Sequence, residues 1–147
     1  MEVRTATFFE CKVRYDKTME DGGQKKVTET YVVNALSFAE AEEKVFEEMS
    51  AYVSGELDVT AIKIAPYSEI FFSDEDKDDK FYRVDCKFIT LDEKTDKEKK
   101  TTVHYLVQAA TVDGARKNTD EVMGKSMIDY VITSVIETKI EDVFAHP

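Results

Sequence analysis

Five carboxylates fall within the seven residues 74–80 of the stretch FFSDEDKDDKFY, residues 71–82. Dense carboxylate loops are one way a chain captures a hard divalent cation. Asp74, Asp76 and Asp78 have the 1-3-5 spacing of an EF-hand loop, and Asp85 falls at position 12. The match then breaks. Position 6 is Asp79, where the sharp turn needs glycine, and position 12 is aspartate, where a bidentate glutamate is needed. A run of like charge between periodic segments reads as a solvated connector.

The remaining reactive side chains are few. His104 stands between Val103 and Tyr105 and points away from the tyrosine's face of its strand, which marks it as a solvated strand residue. His146 is penultimate, where fraying is the default. Cys11 alternates with Phe9 and Val13, and Cys86 with Val84 and Phe88, so both thiols fall in apolar registers and are expected to pack in a core. They form no CxxC and no zinc-type set. The DGGQKK stretch has glycines and lysines but joins two strands rather than opening a helix, so it is no phosphate cradle. No nucleophile elbow or HExxH motif is found. No catalytic residue, cofactor or metal is therefore assigned.

The basic residues best placed to meet a nucleic acid are Lys12, Arg14 and Lys87, on strands that also carry Phe9, Tyr15 and Phe88. A net charge of −11 over 147 residues works against such binding, because a phosphate backbone is held by displacing counterions with Lys and Arg.

The elements behind these residues follow from periodicity. Phe9, Cys11, Val13 and Tyr15 alternate with Glu10, Lys12 and Arg14, the pattern of a half-buried strand. A hairpin loop holding Gly22 and Gly23 returns the chain into Val27, Tyr31 and Val33. Ser37 and Glu40 make an S-x-x-E capping box, followed by Phe38, Ala41, Val45, Met49 and Tyr52 at helical spacing. LDVTAIKIA is the third long strand, and YSEIFF a short strand or turn.

The same plan recurs. FECKVRY at 9–15 matches VDCKFIT at 84–90, YVVNALSFAEA at 31–41 matches YLVQAATVDGA at 105–115, and AIKIAPYSEIF at 61–71 matches SVIETKIEDVF at 134–144. This places Cys11 over Cys86 and Lys12 over Lys87. The second hairpin, DEKTDKEKK, lacks glycine and is expected to be a longer, mobile turn, and the second helix opens at Thr111. Hydrophobic content of 42% is enough for a core. The expectation is one α+β domain over 1–147 made of repeats 7–73 and 81–145, with 74–80 as an acidic connector. Its antiparallel sheet has about six to eight strands, its two helices lie on one face, and the halves are related by a pseudo-two-fold.

The segments FFECKVRYDKTMEDGGQKKVTETYVVNALSFAEAEEKVFEEM, YSEIFFS, FITLDEK, LVQAAT and IETKIEDVF resemble a domain-of-unknown-function family of Bacteroides-type bacteria and their phages and mobile elements. The resemblance covers almost the whole chain. It implies no activity, cofactor or catalytic residue, only a small cytoplasmic protein. An N-terminus without an apolar signal segment fits that location. The functional expectation is a non-enzymatic interaction module, binding a protein or itself through open sheet edges. The alternative is a nucleic-acid-associated protein using Lys12, Arg14 and Lys87.

Overall fold

The computed structural model describes residues 1–145; His146 lies outside them. The elements run β1 (Glu2–Thr5), β2 (Phe8–Thr18), β3 (Gln24–Asn34), α1 (Phe38–Ser50), β4 (Leu57–Ile64), β5 (Glu69–Phe72), β6 (Lys80–Leu91), β7 (Glu98–Ala109), α2 (Val112–Met123), β8 (Asp129–Glu137) and β9 (Ile140–Phe144). The fold is α+β, as expected. The single antiparallel sheet is not what forms: there are two mixed sheets, of order β4-β2-β3-β9 and β1-β5-β7-β6-β8. The reason lies in the short strands that follow each long one. β9 runs parallel to β3, and β5 runs parallel to β7, so each sheet has antiparallel long strands and a parallel addition from the other part of the chain.

Two compact units result, and they cut across the expected segments 7–73 and 81–145. Of the described residues, one comprises 6–65 and 139–145, the other 1–5 and 66–138.

In the first unit, α1 begins where Ser37 Oγ accepts the Glu40 N–H (3.1 Å) and the Glu40 carboxylate reaches back to the Leu36 N–H (3.2 Å). Its Ala41, Val45 and Met49 pack on Phe9, Cys11, Val13, Tyr31 and Val33, the alternate residues of β2 and β3. Each such fully buried aliphatic side chain contributes on the order of 1.5–3 kcal/mol. In the hairpin, Gly22 alone takes positive φ (86°), which any L side chain would resist.

In the second unit, α2 packs Ala115 and Met123 on Tyr82, Val84, Cys86, Tyr105 and Val107. Thr119 is fully buried and returns its hydroxyl to the Ala115 carbonyl (2.8 Å), so its polar atom is satisfied within the helix. Gly124 ends the helix where a Cβ would meet the Asp120 carbonyl oxygen at 2.7 Å. The glycine-free hairpin is no open turn: Asp96 adopts φ 54°, and the Asp92 and Asp96 amides close the loop on Lys97 and Asp92 carbonyls.

The registers correct one expectation. Cys11 pairs with Tyr31, and Val84, not Cys86, pairs with Tyr105. Cys86 instead faces Val103, as Val13 faces Glu29. Bulges fall between Lys12 and Val13 against β4, and between Asp85 and Cys86 against β8. By pairing position, Cys86 compares with Val13 and Cys11 with Val84.

Candidate functional site

At one end of the first unit, β2, β3, β9 and the end of α1 border an open cavity of about 330 Å³, lined by Tyr15, Lys17, Glu29, Tyr31, Met49, Tyr52, Glu141, Asp142 and Phe144. Its centre is the Glu29 carboxylate, only 10% exposed. The hydroxyls of Tyr15 (2.5 Å) and Tyr31 (3.0 Å) both donate to Glu29 Oε1. Oε2 takes one long hydrogen bond, from Lys17 Nζ at 3.4 Å, and so retains acceptor capacity. The rings of Tyr31 and Phe144 stack at 5.2 Å and form one wall. Tyr52, 77% exposed, stands at the rim. Burial, then the hydrogen bond to Glu29 and the negative charge of Glu29 and Glu141, pushes the Tyr15 hydroxyl up to about 12 and moves Tyr31 further in the same direction. Both phenols therefore stay protonated donors at neutral pH. They fix the carboxylate and do not act as bases.

In the second unit, the residues with the same pairing positions relative to Tyr105 as Tyr15 and Glu29 have relative to Tyr31 are Phe88 and Val103, which pack against the core. The Tyr31–Phe144 stack is matched by Tyr105–Phe71 at 4.8 Å. The aromatic frame is common to both units, and the buried carboxylate with its tyrosine donor belongs to one. The sequence carried a signal for this: Glu29 occupies the inward register between Val27 and Tyr31, where an apolar residue is expected.

The residues singled out from the sequence fall elsewhere. Lys12 and Arg14 are exposed on β2 of the first unit; Lys87 is exposed on β6 of the second. Around Arg14 and Lys12 the sheet interleaves Asp58 and Glu10, the latter 3.9 Å from Lys63, so no unbroken basic stripe forms there. Phe9, Tyr31, Tyr82 and Tyr105 are buried in the opposite register, away from those cations. His104 is not simply solvated. It lies opposite Asp85 in register, with Nδ1 2.6 Å from Asp85 Oδ1, and Arg83 Nε is 3.2 Å from the same oxygen. The short contact places a proton on Nδ1, which leaves the Arg83 guanidinium at 3.3 Å a neighbour and not a donor to that nitrogen. Burial tends to raise the Asp85 carboxyl, but hydrogen bonds and charge from His104 and Arg83 outweigh it and hold it below the usual range.

Both cysteines are fully buried and free, and burial with nearby carboxylates pushes each thiol up to about 11. The acidic connector is partly built in: Asp78 is buried and accepts a hydrogen bond from the Ser73 hydroxyl (2.5 Å), while the Ser73 amide is held by Gln108 (2.9 Å). Among the described residues no three His, Cys, Asp or Glu side chains are grouped to hold a metal ion. No described helix is long and apolar enough to cross a membrane. The sheet edges are blunted. β1 and β9 are short and charged, and β4 and β8 are each interrupted by a bulge.

The chain is thus an α+β protein of two mixed-sheet units, one of which carries a cavity beside a partly buried, tyrosine-held carboxylate. Residues 7–146 match the domain-of-unknown-function family DUF4494, and the chain belongs to that family. No curated protein and no solved structure matches it.

Proposed function

We propose that this chain is a non-enzymatic, cytoplasmic interaction module built from two copies of a strand–strand–helix–strand plan, and that its binding site is the Glu29 cavity. One observation carries the site. A partly buried carboxylate held by two phenols has lost much of its water, and the matching place in the second unit is filled by Phe88 and Val103 without it. A costly group that the fold does not require is best accounted for by binding. Supporting the two-copy reading, the two bulges fall at matching places. The helix-to-strand tether is matched too: Lys44 Nζ holds the Asn34 carbonyl (2.7 Å), and Asn118 Nδ2 holds the Gln108 carbonyl (3.0 Å). The blunted edges direct partner binding to the cavity rather than to strand addition.

The test is affinity capture from the native host with the parent chain and with the Tyr15→Phe/Glu29→Val variant, each with and without nuclease. A partner should be retained by the parent, lost by the variant and indifferent to nuclease. Equal capture by both chains would remove the cavity from the proposal, and loss on nuclease treatment would favour a nucleic-acid partner.

A further inference from the structure

The cavity's lining narrows what it can hold. Glu29, Glu141 and Asp142 give it three carboxylates against the single cation of Lys17. Anionic ligands are repelled by that balance, and a neutral one gains nothing from it. A bare metal ion needs several oxygen donors converging at short range. Among the described residues no three such side chains converge, and the lining holds the aromatic side chains of Tyr15, Tyr31, Tyr52 and Phe144, which have a quadrupole to offer. An organic cation uses both features: its charge meets the carboxylates, and its alkyl or guanidinium body lies on the rings. The molecule already contains the charge half of this pairing. The Lys17 ammonium reaches Glu29 Oε2 at 3.4 Å from a half-exposed position, the outer edge of the same site.

We propose that the Glu29 cavity binds an organic cation, the ammonium or guanidinium of a basic side chain or of a free amine, seated between the Glu29 carboxylate and the aromatic walls. Lys17 is its internal competitor. The proposal rests on the reading of this cavity as the binding site and adds the chemical class of its ligand. The phenols of Tyr15 and Tyr31 take one carboxylate oxygen and leave the other for the incoming donor.

The experiment is an amide NMR titration of the full chain at low ionic strength. The probes are putrescine, a glycine–serine peptide with one central lysine, the same peptide with glutamate, and potassium chloride matched for ionic strength. Putrescine or the lysine peptide, and neither control, should shift the amides of Tyr15, Glu29, Tyr31 and Phe144. Tighter saturation by putrescine identifies a free amine as the source, and tighter saturation by the peptide identifies a protein side chain. Lys17→Met should tighten binding roughly two- to five-fold, the worth of one exposed ion pair, and Tyr15→Phe/Glu29→Val should abolish it. Equal shifts with potassium chloride, or weaker binding by Lys17→Met, would overturn the proposal. Shifts with the glutamate peptide but neither cation would overturn the cation class and leave the cavity as a binding site. If no probe shifts these amides, the cation class falls, and the capture experiment then decides the site separately.

Discussion

The claim that the fold does not need the Glu29 network can be worked into a double-mutant cycle. Tyr15→Phe removes one hydrogen bond to a charged acceptor, which in a partly solvated position costs about 1 kcal/mol. Glu29→Val leaves two phenol donors without an acceptor. Tyr31 is 8% exposed, so the loss is about 1–3 kcal/mol, while the half-exposed Lys17 pair adds little. If the two changes were independent, together they would cost roughly 2–4 kcal/mol. Made together, however, they reproduce the Phe88–Val103 packing beside a stacked tyrosine that the second unit already uses. They also remove a buried charge, whose replacement by apolar residues is often neutral or stabilising. The Tyr31 hydroxyl still lacks its acceptor in the double variant, so that variant should be less destabilised than the sum of the single changes, with a coupling of about 1 kcal/mol from the Tyr15 hydrogen bond that both single changes remove. Urea unfolding of the four chains, followed by far-UV circular dichroism with a shared m-value, measures this. A double variant that loses the full sum would show that the network holds the unit together. The reasoning from the second unit would then be wrong.

Two further outcomes follow from buried and paired groups. Cys11 and Cys86, raised to about 11 by burial, should not react with a thiol reagent at pH 8 in the native chain and should both react in denaturant; fast native labelling of either would contradict the packing. Asp85 is held below its ordinary value, so its pairing with His104 and Arg83 stabilises the fold above the unfolded carboxyl pKa and is lost as pH falls through the folded one. Asp85→Asn should therefore be less stable than the parent at pH 6, with the gap closing below about pH 4; a gap independent of pH would assign the loss to packing.

Much of the fold was legible because it is local. The alternation of Phe9, Cys11 and Val13, the Ser37–Glu40 cap and the Ala41–Val45–Met49 stripe each declare an element and its inward face. What was not legible is pairing over distance. β5 and β9 are four and five residues long, and nothing in EIFF or IEDVF says which sheet they join or that they run parallel. The matching of Cys11 with Cys86 shows a second limit. A slip of two residues preserves a strand's inward and outward pattern, so identical residues drew the comparison into a register that the bulges contradict. That slip hid half of the site: matching Tyr31 with Tyr105 already sets Glu29 against Val103, whereas only the paired register sets Tyr15 against Phe88. His104 was misread for a related reason: its face was correctly assigned, but its partner Asp85 lies on a neighbouring strand.

The exchange of short strands also bears on how the chain is made. Thr30 pairs with Ile140, so the sheet begun by β2 and β3 cannot close until the chain has been made past residue 140. The edge strand Glu2–Thr5 likewise waits for Glu69–Phe72. Such distant closures slow folding and leave the open side of β3 exposed while synthesis proceeds. Severing the chain at the acidic connector would strand a piece of each unit on the wrong fragment, so neither half is expected to fold alone. Mixed together, the halves have complementary ends through which each could complete the other.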